Sequence, residues 1–210
     1  MRIGIVGAGR IGGNLARLLT QAGHDVVISY ARDAGELRAR AAGFGCRAGS
    51  VAEAAGFGDV VVLSVPWANI DAVLADAGSL TGKVVIDTTN HFTSAGIAGQ
   101  QDGTAAQVNQ ARMPGARLVK AYNTLTAGFQ AAAAGRTGPN RVVMFLCGDD
   151  ELAKAIVGGL IVDTGFTPFD VGLLADGAVM EAPRRPGAVY GEEFSEADAR
   201  RFFDGRRSVG

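Results

Sequence analysis

The first dozen residues contain the feature that most constrains the fold. A short apolar run, Arg2 to Val6, leads directly into Gly7-Ala8-Gly9-Arg10-Ile11-Gly12, and leucines then recur at helical spacing. The stretch therefore predicts a strand, a glycine turn and a helix. In this context each glycine of a GxGxxG motif has a physical role. Gly7 permits the tight turn, Gly9 lets the backbone approach a pyrophosphate, and Gly12 lets the helix pack closely on the strand.

The same turn predicts a dinucleotide site. Free N–H groups at the start of the helix would face the phosphates, and the helix dipole would favour their negative charge. A glycine-rich turn without a ligand is the alternative, but the strand and helix on either side favour binding. The candidate contact residues in this turn are Gly7, Ala8, Gly9, Arg10, Ile11 and Gly12.

The end of the second predicted strand, Asp25 to Tyr30, indicates which dinucleotide binds. NAD sites usually carry an acidic residue about 20 residues beyond the glycines, where it holds the ribose 2′-hydroxyl. In this chain that position is Arg32, and the three residues before it are not acidic. A guanidinium pairs well with a 2′-phosphate, so we expect NADP rather than NAD. A solvated loop arginine is the alternative, and Asp33 would either pair with Arg32 or lie at a helix start.

Strands and helices alternate through most of the chain, which predicts a Rossmann-type doubly wound α/β fold. We expect a mostly parallel sheet with helices on both faces, in a single domain spanning residues 1–175. The remaining residues, 176–210, are expected to form a short irregular extension packed on the same domain or on a partner subunit. The later predicted strands are 46–48, 59–66, 83–87, 116–122, 141–147 and an edge strand at 167–171.

Three of these strands end in segments suited to ligand contact. Because ligands of an open α/β sheet bind beyond the carboxyl ends of its strands, we expect these segments to form one crevice. Its walls would be Trp67 and Tyr122, although plain packing explains Trp67 equally well. The candidate cofactor contacts besides the turn are Ser29, Tyr30, Arg32, Ser64, Val65, Pro66, Trp67, Thr88 and Asn90, and the candidate substrate contacts are Trp67, Lys120, Tyr122, Asn123, Thr124 and Leu125.

Hydride transfer to or from a bound dinucleotide needs little acid–base chemistry from a protein, so the sequence requires no catalytic residue. Two residues at the predicted crevice are candidates for moving a proton. His91 follows the fifth strand and Lys120 lies near the end of the sixth. A solvated strand-end lysine is the simpler interpretation of Lys120.

Composition excludes several other classes of function. A net charge of −1 and a pI near 6.1 provide no basic field for nucleic acid. No apolar run reaches the roughly 18 residues of a membrane span, and the chain opens on a strand rather than on a targeting signal. Cys46 and Cys147 are far apart and match no metal or redox spacing. We therefore expect no metal, no membrane contact and reduced thiols in a cytoplasmic protein.

Several motifs recur together, in this order, in one known family. They are the turn at residues 7–12, Arg32, Val65-Pro66-Trp67, Asp87-Thr88-Thr89-Asn90, Lys120-Ala121-Tyr122-Asn123-Thr124 and Cys147-Gly148-Asp149-Asp150. Over roughly residues 1–175 the chain resembles the coenzyme F420-dependent NADP oxidoreductases, a family of small bacterial NADP-binding reductases. The resemblance implies that NADP lies on the glycine turn and that a deazaflavin stacks on the nicotinamide. It also implies that Arg32 holds the 2′-phosphate, that Pro66 and Trp67 border the nicotinamide, and that Tyr122 to Leu125 line the deazaflavin side.

The chain departs from that family at three places. Ala31 stands where a serine commonly precedes the arginine, and the segments after Asn90 and after Leu174 do not match closely. The second substrate is therefore the least determined part of the prediction.

The sequence thus predicts hydride transfer between NADP(H) and a small-molecule ring acceptor, either coenzyme F420 or a flavin. An NADPH-dependent reductase of a small carbonyl or imine is one alternative. Its larger relatives complete their site with a long helical C-terminal domain, and the short stretch after residue 175 argues against it. A non-catalytic dinucleotide-binding sensor or partner protein is the other. We also expect a homodimer in which the apolar tail covers part of the partner, although the tail would equally fold back on its own subunit.

Overall fold

The computed structural model describes residues 1–30, 33–93, 96–97 and 103–207 of the chain. Its centre is an eight-stranded sheet in the order β3-β2-β1-β4-β5-β8-β9-β10, and β6 and β7 form a separate two-stranded hairpin. The strands are β1 Arg2–Val6, β2 Asp25–Ser29, β3 Arg47–Ala48, β4 Val60–Leu63, β5 Val84–Asp87, β6 Phe92–Thr93, β7 Gly96–Ile97, β8 Arg117–Ala121, β9 Val143–Gly148 and β10 Thr167–Asp170.

Helices cover both faces of this sheet. They are α1 Arg10–Gln21, α2 Ala34–Phe44, α3 Val51–Phe57, α4 Ile70–Ala77, α5 Ala105–Arg112, α6 Ala127–Ala133, α7 Glu151–Asp163 and α8 Glu196–Arg207. Short 3-10 helices at Trp67–Asn69, Gly138–Asn140 and Leu174–Met180 complete the connections. The Rossmann-type doubly wound fold predicted from the sequence is confirmed.

Six strands of the sheet are parallel and two are reversed. β9 pairs antiparallel with β8, and β10 pairs parallel with β9, so these two run against the rest. The chain builds β2 and β3 on one side of β1 and then crosses to β4, β5 and β8 on the other. This reversal of strand order at β1 creates the crevice in which open α/β sheets bind ligands.

The core lies in two layers because successive strand residues point to opposite faces. In β4, for example, Val60 and Val62 belong to the layer beneath α1 and α7, whereas Val61 and Leu63 belong to the layer beneath α3 and α4. Both layers are apolar, which explains the near-continuous hydrophobic runs of the central strands.

Polar caps fix several helix starts. The Ser50 hydroxyl accepts from the Glu53 N–H while the Glu53 carboxylate accepts from the Ser50 N–H, which is the predicted capping box of α3. Asp150 caps α7 by accepting from the Ala153 N–H. Neither α6 nor the two-stranded sheet of β6 and β7 was expected from the sequence pattern.

The C-terminal tail folds back on its own sheet. The Phe145 ring of β9 lies edge-on to Phe194 at 5.4 Å, and Phe203 stacks on Phe169 of β10 at 5.1 Å. The Val143 N–H also donates to the Phe194 carbonyl at 2.9 Å. Among the residues that the structure describes, no helix is long and apolar enough to cross a membrane.

A buried ion pair ties β5 to β8. Asp87 and Lys120 are paired in strand register, and the Lys120 Nζ lies 3.2 Å from the Asp87 Oδ2 with both side chains 0% exposed. The same Nζ donates to the Thr89 carbonyl at 2.8 Å. Lys120 is therefore a structural cation, and its interpretation as a solvated strand-end residue is wrong.

Removing one member of this pair should strongly destabilise the fold. We expect Lys120→Met to lower the free energy of unfolding by about 3–5 kcal/mol, because Asp87 is left charged and buried without its partner. Adding Asp87→Asn should restore part of the loss, since Asp87 then carries no buried charge. Urea unfolding followed by circular dichroism measures both changes.

The matched control is the exposed ion pair of Arg200 and Glu196 on α8. Arg200→Met should cost less than about 1 kcal/mol because water already solvates both charges. If Lys120→Met cost no more than this control, the pair would not have the structural role assigned to it.

Candidate functional site

The glycine turn after β1 has the geometry that the motif predicts. Gly7 has φ of 121°, and a Cβ built on it would lie 2.0 Å from the Ser64 carbonyl oxygen. A Cβ on Gly12 would lie 1.9 Å from the Gly7 carbonyl oxygen. At Gly9, by contrast, a Cβ would meet no atom of the described residues within 4 Å. Gly7 and Gly12 therefore allow close packing of the turn against its neighbours, whereas Gly9 leaves its side of the turn open.

The start of α1 fits an anionic ligand. Gly9 is the N-cap, and no side chain among the described residues bonds to it as a cap. The first turn holds no acidic residue, and Arg10 is exposed there. Unpaired N–H groups and the positive end of the helix dipole therefore meet the open side of Gly9. The residues present fit the pyrophosphate of a dinucleotide.

Tyr30 follows β2 and hydrogen-bonds both to the glycine turn after β1 and to the short helix after β4. Its carbonyl accepts from the Ala8 N–H at 3.0 Å, and its hydroxyl accepts from the Asn69 Nδ2 at 2.9 Å. The ring is 37% exposed, and φ is 61°, an unusual value for a bulky residue. Such strained positions cluster at ligand sites, so the strain agrees with a place beside the cofactor.

Ser29 differs, because it is fully buried and its hydroxyl donates to the Ile5 carbonyl, so its side chain is not free to contact a ligand.

Arg32, the predicted partner of a 2′-phosphate, lies outside the described residues, as does Ala31. Asp33 is described and is the N-cap of α2, where its carboxylate accepts from the Glu36 N–H at 2.7 Å. Arg40 was not predicted as a site residue, yet its Nη1 donates to the Ala8 carbonyl at 2.7 Å. Arg40 is 32 residues from Ala8 in the sequence, so the motif itself does not indicate this contact.

The loops after β4 and β5 meet through aromatic rings. Trp67 and His91 stack with ring centroids 4.3 Å apart, and the Arg112 guanidinium lies 4.6 Å from the Trp67 centroid. Only 9% of Trp67 is exposed. The indole therefore packs within the protein, whereas His91 is half-buried and Pro66 is exposed at the rim.

A polar network extends from this aromatic contact to the buried ion pair. The Arg112 Nη1 donates to the Asn109 Oδ1 at 3.1 Å, and the Asn109 Nδ2 donates to the Asp87 Oδ2 at 3.0 Å. The Asn109 Nδ2 is also 3.1 Å from the Thr89 Oγ1. Helix α5 thus connects Trp67 with the residues beneath His91, and the sequence analysis missed both Asn109 and Arg112.

The prediction that Tyr122 walls the crevice is wrong. Its ring is 1% exposed and belongs to the core, and its hydroxyl lies 2.8 Å from the Thr164 Oγ1. Burial raises the pKa of the Tyr122 hydroxyl, so it stays protonated. Its φ of 59° turns the chain sharply after β8 and takes the next residues under the C-terminal segment.

That segment also covers Asn123, Thr124 and Leu125, which are buried rather than lining an open surface. The Asn123 Nδ2 donates to the Met180 carbonyl at 2.7 Å, and the Gly191 N–H donates to the Thr124 carbonyl at 2.8 Å. Asn90 and Thr88 are buried as well, and the Asn90 Nδ2 donates to the Asn123 carbonyl. The residues after β8 therefore do not line the predicted crevice, which leaves the loops after β4 and β5 to form it.

The two cysteines do not contribute reactive thiols to the crevice. Cys46 and Cys147 are free, and burial raises the pKa of Cys147 to about 12. A thiol with so high a pKa is a poor nucleophile and a poor metal ligand at neutral pH. The described residues include no cluster of three or more histidine, cysteine or acidic side chains placed to hold a metal ion.

Comparison with known proteins agrees with this geometry. The sequence model of the family described as "NADP oxidoreductase coenzyme F420-dependent" matches residues 2–91. Metalloreductase STEAP3 from Rattus norvegicus is 29% identical over 184 residues, which are 86% of this chain, and the chain spans 36% of that protein's length.

Two solved structures extend the likeness over most of the chain. The hypothetical protein SMa0349 from Sinorhizobium meliloti is 30% identical with a TM-score of 0.82, and the match covers 93% of this chain and 96% of that one. A putative F420-dependent NADP reductase from Arthrobacter sp. FB24 is 28% identical with a TM-score of 0.72, covering 85% of this chain and 88% of that one. The chain therefore belongs to one family with the Sinorhizobium protein, and its residues 2–91, which hold the glycine turn that fits a dinucleotide, match the coenzyme F420-dependent NADP oxidoreductases.

Proposed function

We propose that the protein transfers hydride between NADP(H) and a flat ring acceptor, either a deazaflavin such as coenzyme F420 or a flavin. The observation that carries the proposal is the aromatic rim formed by His91, stacked on Trp67, and by Phe92, which is 46% exposed. Planar groups at the open end of a crevice favour a planar partner. The Arthrobacter relative, named as a putative F420-dependent NADP reductase, supports the same class of acceptor.

The cofactor half of the site would use the glycine turn and the loops beside it. The N–H groups at the start of α1 would bind the pyrophosphate, with Arg10 exposed beside them. Tyr30 would border the adenosine, Arg32 would hold the 2′-phosphate, and Pro66 would border the nicotinamide. Bound NADPH supplies the hydride, and the protein sets the face and distance of the two rings.

The cations near the acceptor half are already committed to partners. Arg112 lies 3.2 Å from the Asp71 carboxylate, and Lys120 is paired with Asp87. Neither is free to clamp a small acid, whereas a ring acceptor requires no such clamp. This arrangement favours stacking over charge as the means of holding the acceptor.

A reductase of a small carbonyl or imine would also need a proton donor at the crevice. The buried hydroxyl of Tyr122 and the buried Lys120 do not provide one, so His91 is the described candidate. The two functions therefore differ in what they require of His91. A ring acceptor needs its flat surface, whereas a carbonyl or imine needs its proton.

We further propose that the protein acts in the cytoplasm, where its two free thiols would stay reduced.

A homodimer also stays a prediction. Because the aromatic residues of the tail pack on their own sheet, a dimer would need another surface, such as the exposed edge at β10.

The proposed reaction predicts which acceptors turn over. Purified protein with NADPH should reduce coenzyme F420 or FMN, and NADH should support the reaction far less well. Loss of NADPH absorbance measures the rate, and a panel of cyclic imines and small ketones provides the comparison. Turnover of the panel without turnover of either ring acceptor would contradict the proposal and favour the carbonyl or imine reductase. Tight NADP binding without any turnover would indicate the sensor.

Substitution of His91 tests the aromatic rim. We expect His91→Ala to raise the acceptor KM by up to about tenfold, since a lost ring contact is worth roughly 0.5–1.5 kcal/mol beyond the buried area. His91→Phe should keep the KM within about twofold of wild type, because the flat surface is retained. The NADP dissociation constant should not change in either variant.

The chain's other histidine provides a matched control. His24 contacts Asp163 and the N-terminus, away from the rim, so His24→Ala should leave the acceptor KM unchanged. If His91→Phe instead abolished kcat while preserving KM, His91 would be a proton donor, and stacking would not be its role.

A further inference from the structure

Arg40 links α2 to the glycine turn. Its Nη1 donates to the Ala8 carbonyl at 2.7 Å, and its Nη2 lies 3.1 Å from the position that a Cβ on Gly13 would occupy. The guanidinium therefore lies against the first turn of α1, beside the residues that fit a pyrophosphate.

This position is next to the adenosine end of the site. The Ala8 N–H donates to the Tyr30 carbonyl at the end of β2, while the Ala8 carbonyl accepts from Arg40. Ala8 thus lies between the end of β2 and the Arg40 guanidinium. In this fold the ribose 2′ substituent binds at the end of β2 beside the glycine turn. Ala8 therefore connects Arg40 to the strand end at which a 2′-phosphate would bind.

The charge of Arg40 is available to such a ligand. The side chain is 37% exposed, and the bond to Ala8 occupies one of its five N–H donors. The Glu36 carboxylate is 3.9 Å away and is itself largely exposed, so it neutralises Arg40 only weakly. A guanidinium with free donors binds phosphate oxygens well.

We propose that Arg40 is a cation of the 2′-phosphate subsite that favours NADP over NAD. Two roles of Arg40 have different consequences for binding. Its charge acts on the 2′-phosphate and therefore affects NADP alone. Its bond to Ala8 supports the glycine turn and therefore affects both dinucleotides equally.

Calorimetric dissociation constants for NADP and NAD separate these roles. We expect Arg40→Met to weaken NADP binding about fivefold to tenfold while NAD binding stays within about twofold. Glu36→Gln should strengthen NADP binding about twofold, because it removes the nearest carboxylate. Arg40→Lys should keep part of the preference for NADP, since it retains the charge but not the planar fork.

Arg38 provides the matched control on the same helix. It is exposed and two residues away, so it faces a different side of α2, and Arg38→Met should change neither constant. Equal weakening of both dinucleotides by Arg40→Met would show that Arg40 only supports the turn and would overturn the proposal. Unchanged constants, or a wild type that binds both dinucleotides equally, would overturn it as well. The measurement involves no acceptor, so failure of the proposed ring reduction would not affect it.

Discussion

One buried ion pair holds in place the loop at which the proposed acceptor would bind. Lys120 and Asp87 are both fully removed from water, and such a pair is tolerated only when hydrogen bonds satisfy its remaining polar atoms. Here those bonds come from the loop after β5 and from α5: the Asp87 Oδ1 accepts from the Thr89 N–H at 2.9 Å, and its Oδ2 accepts from Asn109. The requirement to satisfy two buried charges therefore fixes the loop that carries His91.

The C-terminal segment completes the same arrangement from the other side. The Glu181 carboxylate accepts from the Ala105 and Ala106 N–H groups, which fixes the start of α5, and it lies 3.8 Å from the Lys120 Nζ. Helix α5 then holds Trp67 through Arg112. A segment distant in sequence from the glycine turn thus determines where the aromatic rim lies.

The sequence predicted the parts of this protein that depend on local pattern. Strands followed from apolar runs, and the roles of Gly7, Gly9 and Gly12 followed from backbone geometry, which needs no knowledge of distant residues. It failed where burial depends on the fold. Lys120 lies within β8 and Tyr122 directly follows it, and nothing near them in sequence shows that Glu181 approaches Lys120 or that Thr164 bonds the Tyr122 hydroxyl. The reversed direction of β9 was equally hidden, because the residue pattern of a strand does not encode its direction. Helix α6 is alanine-rich, with no apolar stripe to reveal it, and its one local signal was the capping residue Thr126.

The two halves of the site consequently differ in how they respond to substitution. The cofactor half is formed mainly by backbone groups of one continuous turn, so most side-chain changes nearby leave its N–H groups in place. The proposed acceptor half is formed by side chains from the loop after β4 and from α5, β5 and β8. Their contacts run from Trp67 through Arg112 and Asn109 to Asp87. Substitutions within such a network are not additive, because each residue supports the next. On the proposed function, a change of acceptor would therefore require coordinated substitutions along this network, whereas the preference for NADP would depend on cations beside the glycine turn.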